Sequence, residues 1–473
     1  MAGLVGYGAY LPYHRLRRDR IGAVLGGSAG RGMRAVAGYD EDATTLAVEA
    51  GRIALARLPS RLRPHDVMLA TTSLPYLEKT NATAAHAALR LDRHGLALDL
   101  AGAVRSGVGA LLAGLAAGEP TMVLAADVRT GLPGSTDERD GGDAAAAFVT
   151  GRTSLIAELL GHASVSEEML ERWRTPGARS SRVWEERFAQ APLQRGAQDS
   201  FAEALKRATL TPAGVDHLVV TGLHRRAAQA VAGDLGVRPG IAADDLSATV
   251  GNTGTAHAGL LLASVLDRAG AGEVVAVVVL ADGATTLLLR TTAELVRRRS
   301  RRPVAEQLAA GDDGLEYPTF LAWRGMLDRE PPRRPEPPPP YAPPAARRAA
   351  WKFGFVAARC TVCGTRVLPP GRACRSCHSI DAMEPYPMAE VPGQVATFTV
   401  DELAVTPSPP LLAAVVDFDG GGRLRCQVTD ARSSDVAVGT RVEMTFRRMS
   451  TVDGVHNYFW KARPLRFTPL DAP

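Results

Sequence analysis

The chain has 473 residues, of which 46% are hydrophobic and 22% charged, with a formal net charge of +5. That length suits two or three folding units, and the composition is that of a globular protein rather than a disordered one. The mild basicity falls short of a nucleic-acid-binding profile. The opening residues, MAGLVGYGAYLPYHRLRRDR, lack a basic region followed by a continuous apolar run, and no stretch of 18 uncharged apolar residues occurs anywhere. The expectation is a cytoplasmic protein with no membrane partner and no signal peptide.

In chain order, residues 1–290 alternate helical and strand patterns. Residues 41–58 have helical spacing, 67–71 form a short apolar run, 82–91 read as helix and 97–100 as a short buried strand. Residues 105–117 form a Gly/Ala/Leu-rich helix and 121–126 another buried strand. Such alternation predicts a layered α/β fold. A weak echo joins the two halves. Asp143 with its run of alanines follows the strand 121–126, and Asp282-Gly-Ala follows the strand 274–280. Two such halves suggest an internally duplicated βαβ unit.

The most concentrated basic run is Arg297, Arg298, Arg299, Arg301 and Arg302. It reads as a solvated helix end or as a phosphate contact for a coenzyme or an acidic carrier protein. Residues 331–344 then hold nine prolines in fourteen positions, a composition that predicts extended polyproline and no helix. A short helical signal follows at 347–352. Beyond Cys377 come short, turn-separated β-runs at 394–400, 411–418, 424–429 and 441–446, which predict a small barrel.

All five cysteines lie in this last part of the chain, and residues 1–359 contain none. Cys360-x2-Cys363 and Cys374-x2-Cys377 are separated by ten residues. Two such turns can close a tetrahedral Zn–S4 site, and with four protein ligands no coordination position stays open, so the metal would be structural. A reducible dithiol pair is the competing reading. His378, beside the last ligand, is expected to be solvated or to support the site from outside.

Three segments of the first part suit acyl-thioester chemistry. Leu98–Leu111 takes a strand into a helix that begins near Arg105, and a helix start offers free N–H groups to a nucleophile or an oxyanion. Val219–His224 ends a strand in a histidine. Val250–Ala256 places Asn252 between glycines ahead of a helix. A histidine and an asparagine displayed from loops can together polarise a thioester carbonyl.

These segments resemble the thiolase superfamily, in particular the branch of β-ketoacyl-ACP synthase III and HMG-CoA synthase, with the motifs in that family's chain order. The resemblance implies a five-layered αβαβα domain, a homodimer, a catalytic role for His224 and Asn252, and a structural turn at Asp143. Residues 345–468, with the cysteine pairs and Gly454-Val-His-Asn-Tyr-Phe-Trp-Lys461, resemble the zinc-ribbon/OB-fold module found beside thiolase-like acyl-CoA enzymes. In that family the module binds acyl-CoA or docks on the thiolase-like subunit.

The pattern breaks at two places. The family's nucleophilic cysteine falls on Val104 when counted from Asp99, or on Arg105 when counted back from Gly107. The family's general-base glutamate falls on Thr72, in Thr71-Thr72-Ser73. Normal HMG-CoA synthesis is therefore not expected. Three readings remain: Ser106 as an oxygen nucleophile activated by His224; chemistry by His224 and Asn252 with no covalent step; or a degenerate scaffold supporting a thiolase-like partner. The expected ligands are a structural Zn2+ and an acyl-CoA or acyl-carrier thioester. The expected divisions are an acyl-thioester domain at 1–330, a linker at 331–346, a helix and zinc ribbon at 347–385, and an OB-fold at 386–473.

Overall fold

The structure, a computed structural model, describes all residues except 28–29, 185, 331–332, 334–337 and 471–473, and all side chains of those residues except 186 and 187. Nine strands form one continuous sheet: β1 (Gly3–Tyr10), β2 (Asp66–Thr71), β3 (Ala97–Ala101), β4 (Thr121–Asp127), β5 (Ala144–Gly151), β6 (Ala157–Ser166), β7 (His217–Gly222), β8 (Val274–Leu280) and β9 (Gly283–Thr291). Their order is β7-β8-β9-β6-β1-β5-β4-β2-β3. β1 and β6 share only a short stretch of ladder, Gly3 with Glu158 and Leu4 with Ala157, so the sheet folds there into two halves.

Between the halves lie two helices, α2 (Arg105–Ala116) and α5 (His257–Leu266). Outside the first half lies α1 (Ala43–Leu55), and outside the second lie α3 (Glu186–Ala208) and α4 (Arg225–Asp234). This is a five-layered αβαβα fold, and its apolar residues divide into layers accordingly. Val108, Leu111, Leu260 and Leu261 fill the middle layer, and Leu193, Phe201 and Val231 the outer one. The two halves of the echo fall on equivalent pieces, since β4–β5 and β8–β9 are antiparallel neighbours at the centre of their half-sheets. The central layer is tight. A Cβ on Gly107 would lie 2.3 Å from the Thr255 carbonyl oxygen, so only glycine lets α2 approach the turn that leads into α5.

Strand β3 corrects one expectation. It is the edge of the sheet and half-exposed along its length, not a buried strand. The arginine run fits the solvated helix end only at Arg297, the last residue of the short helix Ala293–Arg297. Arg298 donates to the carbonyls of Val5 and Ser154, Arg299 to that of Ala269, and buried Arg302 pairs with Glu443; only Arg297 stays on the surface. The run cements the chain to itself.

Residues 331–332 and 334–337 of the proline-rich stretch lie outside the described residues. Ala342–Arg347 is a short helix, against the expectation of none, with Pro343 and Pro344 in its first turn. There the missing N–H groups would have had no helical partner, and the fixed φ suits a helix start. A three-stranded ribbon follows, formed by β10 (Val356–Cys360), β11 (Arg366–Val367) and β12 (Met383–Pro387) in the order β11-β10-β12. A closed barrel of β13 (Gly393–Asp401), β14 (Leu411–Phe418), β15 (Arg423–Val428), β16 (Arg441–Val452) and β17 (Val455–Pro464) completes the OB-fold. Cys426 lies inside it, where burial pushes its thiol up to about 12 and makes it inert.

The barrel packs directly on α1. This helix starts at a capping box, in which Asp42 accepts from the Thr45 N–H and Thr45 Oγ1 from the Asp42 N–H. One side of α1 meets the sheet through Leu46, Ala50 and Ile53; a Cβ on Gly8 would lie only 2.6 Å from the Ala54 nitrogen. The other side carries Glu49 and Arg52 into the barrel. Arg463 pairs with Glu49 at 2.9 Å and with Glu443 at 2.8 Å, while Arg52 pairs with Glu49 and Glu390, both at 2.8 Å. Just before α1, Arg447 pairs with Glu41 and with Asp430, and Lys461 with Asp40 at 2.8 Å. A single apolar cluster also runs from Leu46 through Phe355 to Trp460.

Candidate functional site

A cavity of about 770 Å³ opens at the carboxyl ends of β2, β3 and β4, the usual place for a ligand in an open α/β sheet. Its wall includes Thr72, Val104, Arg129, Arg174 and, from the barrel, Arg448 and His456. Asp127, wholly buried at the end of β4, fastens two of the loops that form it. It accepts from Thr71 Oγ1 at 2.9 Å, from the Thr72 N–H at 2.6 Å and from the Thr255 N–H at 2.8 Å. Gly254 has a φ of +61°, and a Cβ there would lie 2.1 Å from Asp127 Oδ2, so the turn after Asn252 requires glycine.

Asp143 makes a second anchor. It is fully buried, accepts from the N–H groups of Ala37 and Arg129 (2.7 Å each), and pairs with Arg34 at 3.3 Å and with Arg324. Arg129 is thus placed through its backbone by Asp143. Its side chain lies against Gly254 and donates to Thr72 Oγ1 at 3.3 Å.

The junction between β3 and α2 is unambiguous in space. Val104 faces the cavity. Arg105 turns away, donating to the carbonyls of Asp282 and Val165 and to Ser166 Oγ. Ser106 is not part of the cavity wall; its hydroxyl donates to the Ala101 carbonyl at 3.4 Å, and among the described residues no hydrogen bond joins it to His224.

His224 caps α4, its Nδ1 accepting from the Ala227 N–H at 3.1 Å, which leaves the proton of the neutral ring on Nε2. Asn252 donates from Nδ2 to the Gly222 carbonyl at 2.8 Å, and its Oδ1 accepts from the Gly254 N–H at 2.9 Å. It lies in a small space behind Val104, bounded also by Thr221 and Thr255. Val104 lines both this space and the large cavity. The structure therefore brings Val104 and Asn252 together, and leaves Ser106 and His224 off the wall of the large cavity.

The motif 454–461 contains the tip of the β16–β17 hairpin and much of β17. The hairpin reaches the first domain at the loop after β2: the His456 N–H donates to Tyr76 Oη at 2.7 Å, and the two rings lie 4.6 Å apart. His456 Nδ1 lies 2.8 Å from Thr451 Oγ1. Burial, helped by the positive charge of Arg448, pushes its imidazole down, so the ring is neutral near pH 7.

The four cysteines converge as their spacing requires. All four Sγ atoms lie within 4.8 Å of one another, with Cys360 and Cys377 3.6 Å apart and Cys363 and Cys374 3.5 Å apart. A tetrahedron with Zn–S bonds of ~2.3 Å has edges of about 3.8 Å, so this donor set fits zinc. His378 stands exposed outside the cluster, its N–H on the Cys374 carbonyl.

Comparison with known proteins agrees with both halves. Over 332 residues the chain is 31% identical to the hydroxymethylglutaryl-CoA synthase of Methanopyrus kandleri, covering 64% of this chain and 92% of that protein. The chain belongs to the hydroxymethylglutaryl-CoA synthase family. The synthase of Pyrobaculum aerophilum is 27% identical over 348 residues, or 69% of this chain and 98% of the relative. Among solved structures, an HMG-CoA synthase complexed with CoA superimposes with a TM-score of 0.58 at 16% identity, over 67% of this chain and 89% of that one. The 3-oxoacyl-(acyl carrier protein) synthase III of Pseudomonas aeruginosa gives 0.54 at 25% identity, over 62% and 98%. Residues 386–447 match the family described as the ChsH2 C-terminal OB-fold domain. The protein is thus a thiolase-superfamily domain of the HMG-CoA synthase family joined to an OB-fold module. No described helix is long and apolar enough to cross a membrane.

Cysteine spacing and the strand-to-helix junction announce part of this site in the sequence. Arg129, Arg174, Arg324 and Arg448 escape a reading of the sequence, each an isolated basic residue without a spacing rule; His456 belongs to the motif 454–461, but its place at this wall, 384 residues beyond Thr72, is not legible there.

Proposed function

We propose that the chain binds an acyl thioester, carried by coenzyme A or an acyl-carrier protein, in the large cavity. There it transfers the acyl group, or forms or cleaves a carbon–carbon bond, directly between bound partners with no cysteinyl acyl-enzyme. The observation that supports this is Val104. It is the junction side chain that faces the cavity, and it offers no nucleophilic atom. Thr72, in the place of the general base, has a hydroxyl that is not deprotonated near neutral pH without a neighbouring base, and the neighbour here is the cation Arg129.

His224 and Asn252 would supply donors for the thioester carbonyl. Ser106 has no part in this proposal, because its hydroxyl bonds the Ala101 carbonyl and lies away from the cavity. A scaffold that supports a thiolase-like partner enzyme is the second reading. It is favoured by one observation: neither His224 nor Asn252 lines the large cavity. In the same proposal, Cys360, Cys363, Cys374 and Cys377 hold a structural zinc, the division at 1–330, 331–346, 347–385 and 386–473 describes the units, and the chain forms a homodimer. The exposed edge of β3 gives such a pairing a place.

Intact-protein mass after incubation with acetyl-CoA tests the junction. The wild type should gain no acyl group, and Val104→Cys should gain one. An adduct on the wild type would refute the non-covalent mechanism. His224→Ala, with its fold verified, should lower any thioester turnover by ~10²-fold or more; unchanged turnover with every substrate found would favour the scaffold.

A further inference from the structure

The echo between the two halves joins two aspartates, and the fold uses them differently. Asp143 stands immediately before β5 and Asp282 immediately before β9, the second strand of each antiparallel pair. Asp143 is fully buried, and its carboxylate is filled by two backbone N–H groups and by Arg34 and Arg324. Asp282 is half-buried on the wall of the large cavity. Its carbonyl is taken by the Glu167 N–H at 3.1 Å and by Arg105. Its carboxylate has no hydrogen-bond or ion-pair partner among the described residues. The other three carboxylates on that wall are engaged. Glu41 accepts from Tyr10 Oη at 2.7 Å and pairs with Arg447, Asp42 accepts from Tyr458 Oη at 2.8 Å and from the Thr45 N–H, and Glu171 lies in the field of Arg172.

The place of Asp282 is fixed from two sides. Arg105, which holds its carbonyl, follows Val104, and Val104 and Asp282 line the same cavity. Strands β7 and β8 run parallel and in register to their ends, Gly222 opposite Leu280. Neighbouring strands lie about 4.8 Å apart, so His224 and Asp282, each two residues beyond its strand, leave the sheet as neighbours. The Gly222 carbonyl in turn holds the Asn252 side chain. Asp282 also has a φ of +46°, a left-handed conformation that is uncommon outside glycine and collects at functional sites. Glycine would meet that backbone without strain and without an unpaired, partly dehydrated charge.

We infer that Asp282 is the general base of the site, the base that Thr72 does not provide. This rests on the reading that the cavity binds acyl thioesters and makes or breaks a carbon–carbon bond there. Asp282 takes a proton from the carbon beside the thioester carbonyl, leaving an enolate whose oxygen accepts from His224 and Asn252. The enolate carbon bonds to the carbonyl carbon of the second bound partner, and the resulting alkoxide takes the proton back from Asp282. In the opposite direction Asp282 takes the hydroxyl proton of a β-hydroxyacyl thioester, the bond between its α and β carbons breaks, and the enolate carbon recovers that proton. No acyl group leaves, nothing is oxidised, and the carboxylate ends each cycle as it began.

Exchange of the acetyl protons of acetyl-CoA in deuterium oxide, catalysed by the full-length protein and followed by mass spectrometry, isolates the proton transfer without a second partner. The wild type should exchange them well above the rate in buffer. Asp282→Asn, which tolerates the left-handed backbone and removes only the charge, should slow exchange by ~10²-fold or more. Asp282→Gly, which fits that backbone, should slow it as much. Thermal unfolding at the wild-type temperature verifies that both variants fold. Undiminished exchange in either variant would overturn the inference and leave the function on which it rests standing. Calorimetric titration of the wild type with acetyl-CoA separates the remaining cases. Binding without exchange would overturn the base and leave thioester binding intact; absence of binding would overturn both.

Discussion

Two regions of this molecule concentrate charge, and they treat it in opposite ways. Where the barrel meets α1, Arg52, Arg302, Arg447, Lys461 and Arg463 are buried, and each touches at least one carboxylate. In the cavity, Arg129 and Arg174 have a hydroxyl and a carbonyl for company. The first arrangement supplies its own counter-charge; the second leaves two guanidiniums with no carboxylate of their own among the described residues. Both lie in one protein, so arginine content alone says nothing about function. What separates a structural cluster from a binding one is whether the chain supplies the counter-charge.

The contrast can be broken at several points. The largest effect is expected at the ribbon. Structural zinc contributes on the order of 10 kcal/mol to folding of small thiolate sites. Chelation should therefore unravel residues 356–387, detected by hydrogen exchange, with one zinc per chain released. Because the charged contacts of α1 with the second module lie on β16, on β17 and at Glu390, and none within residues 356–387, exchange protection of α1 should survive chelation. If α1 loses protection together with the ribbon, the interface depends on the metal as well.

Next comes Arg447→Met, which strands Glu41 and Asp430 in a dry interior. Breaking a buried pair in this way costs about 3–5 kcal/mol, measurable by urea unfolding. A change below about 1 kcal/mol would mean that water reaches the interface.

Acid gives a third, graded test. Burial alone would raise Glu443, but Arg302, Arg463 and Arg52 outweigh it and bring its pKa down to about 2. Glu49 is held well below the usual carboxylate range by Arg52 and Arg463, again against burial. Both folded values are depressed, so their stabilisation is whole above the unfolded-state value of ~4.3 and disappears as pH falls through about 2. The barrel should thus remain docked at pH 3, and Glu443→Gln should flatten the loss of stability between about pH 4 and 2. Undocking already at pH 5 would contradict the assignment. The smallest effect belongs to the cavity: Arg174→Gln, with no ion pair to lose, should change stability by less than about 0.5 kcal/mol. A larger loss would make Arg174 a structural residue and remove the contrast.

The sequence carries unequal amounts of this. The cysteine pairs, the layered α/β alternation and the short β-runs of the barrel are visible because each follows a local rule of spacing or period, and each appears in the structure. Val104 and Arg105 could not be separated by counting from Asp99 or from Gly107; the turning of Arg105 toward the Asp282 carbonyl separates them. Pro343 and Pro344 hide a helix because proline forbids helix interiors but tolerates first turns. The arginine run at 297–302 looks solvated because its acceptors are remote in sequence, the Val5 carbonyl by 293 residues and the Ala269 carbonyl by 30. The same distance hides the pairing of Glu49 with Arg463 and the arrival of His456 beside Tyr76.

The joining of barrel and acyl domain in one chain alters what their contact has to accomplish. Two separate proteins must overcome the loss of translational freedom on meeting, and an interface rich in desolvated ions does little to offset that loss. A tethered barrel meets α1 at an effective concentration of order millimolar, whatever the protein concentration. The tether lightens what that surface must supply, and Arg448 and His456 stay at the cavity wall even at high dilution. Cutting the chain between the modules would make the composition of that wall depend on concentration, a dependence that the intact polypeptide does not have.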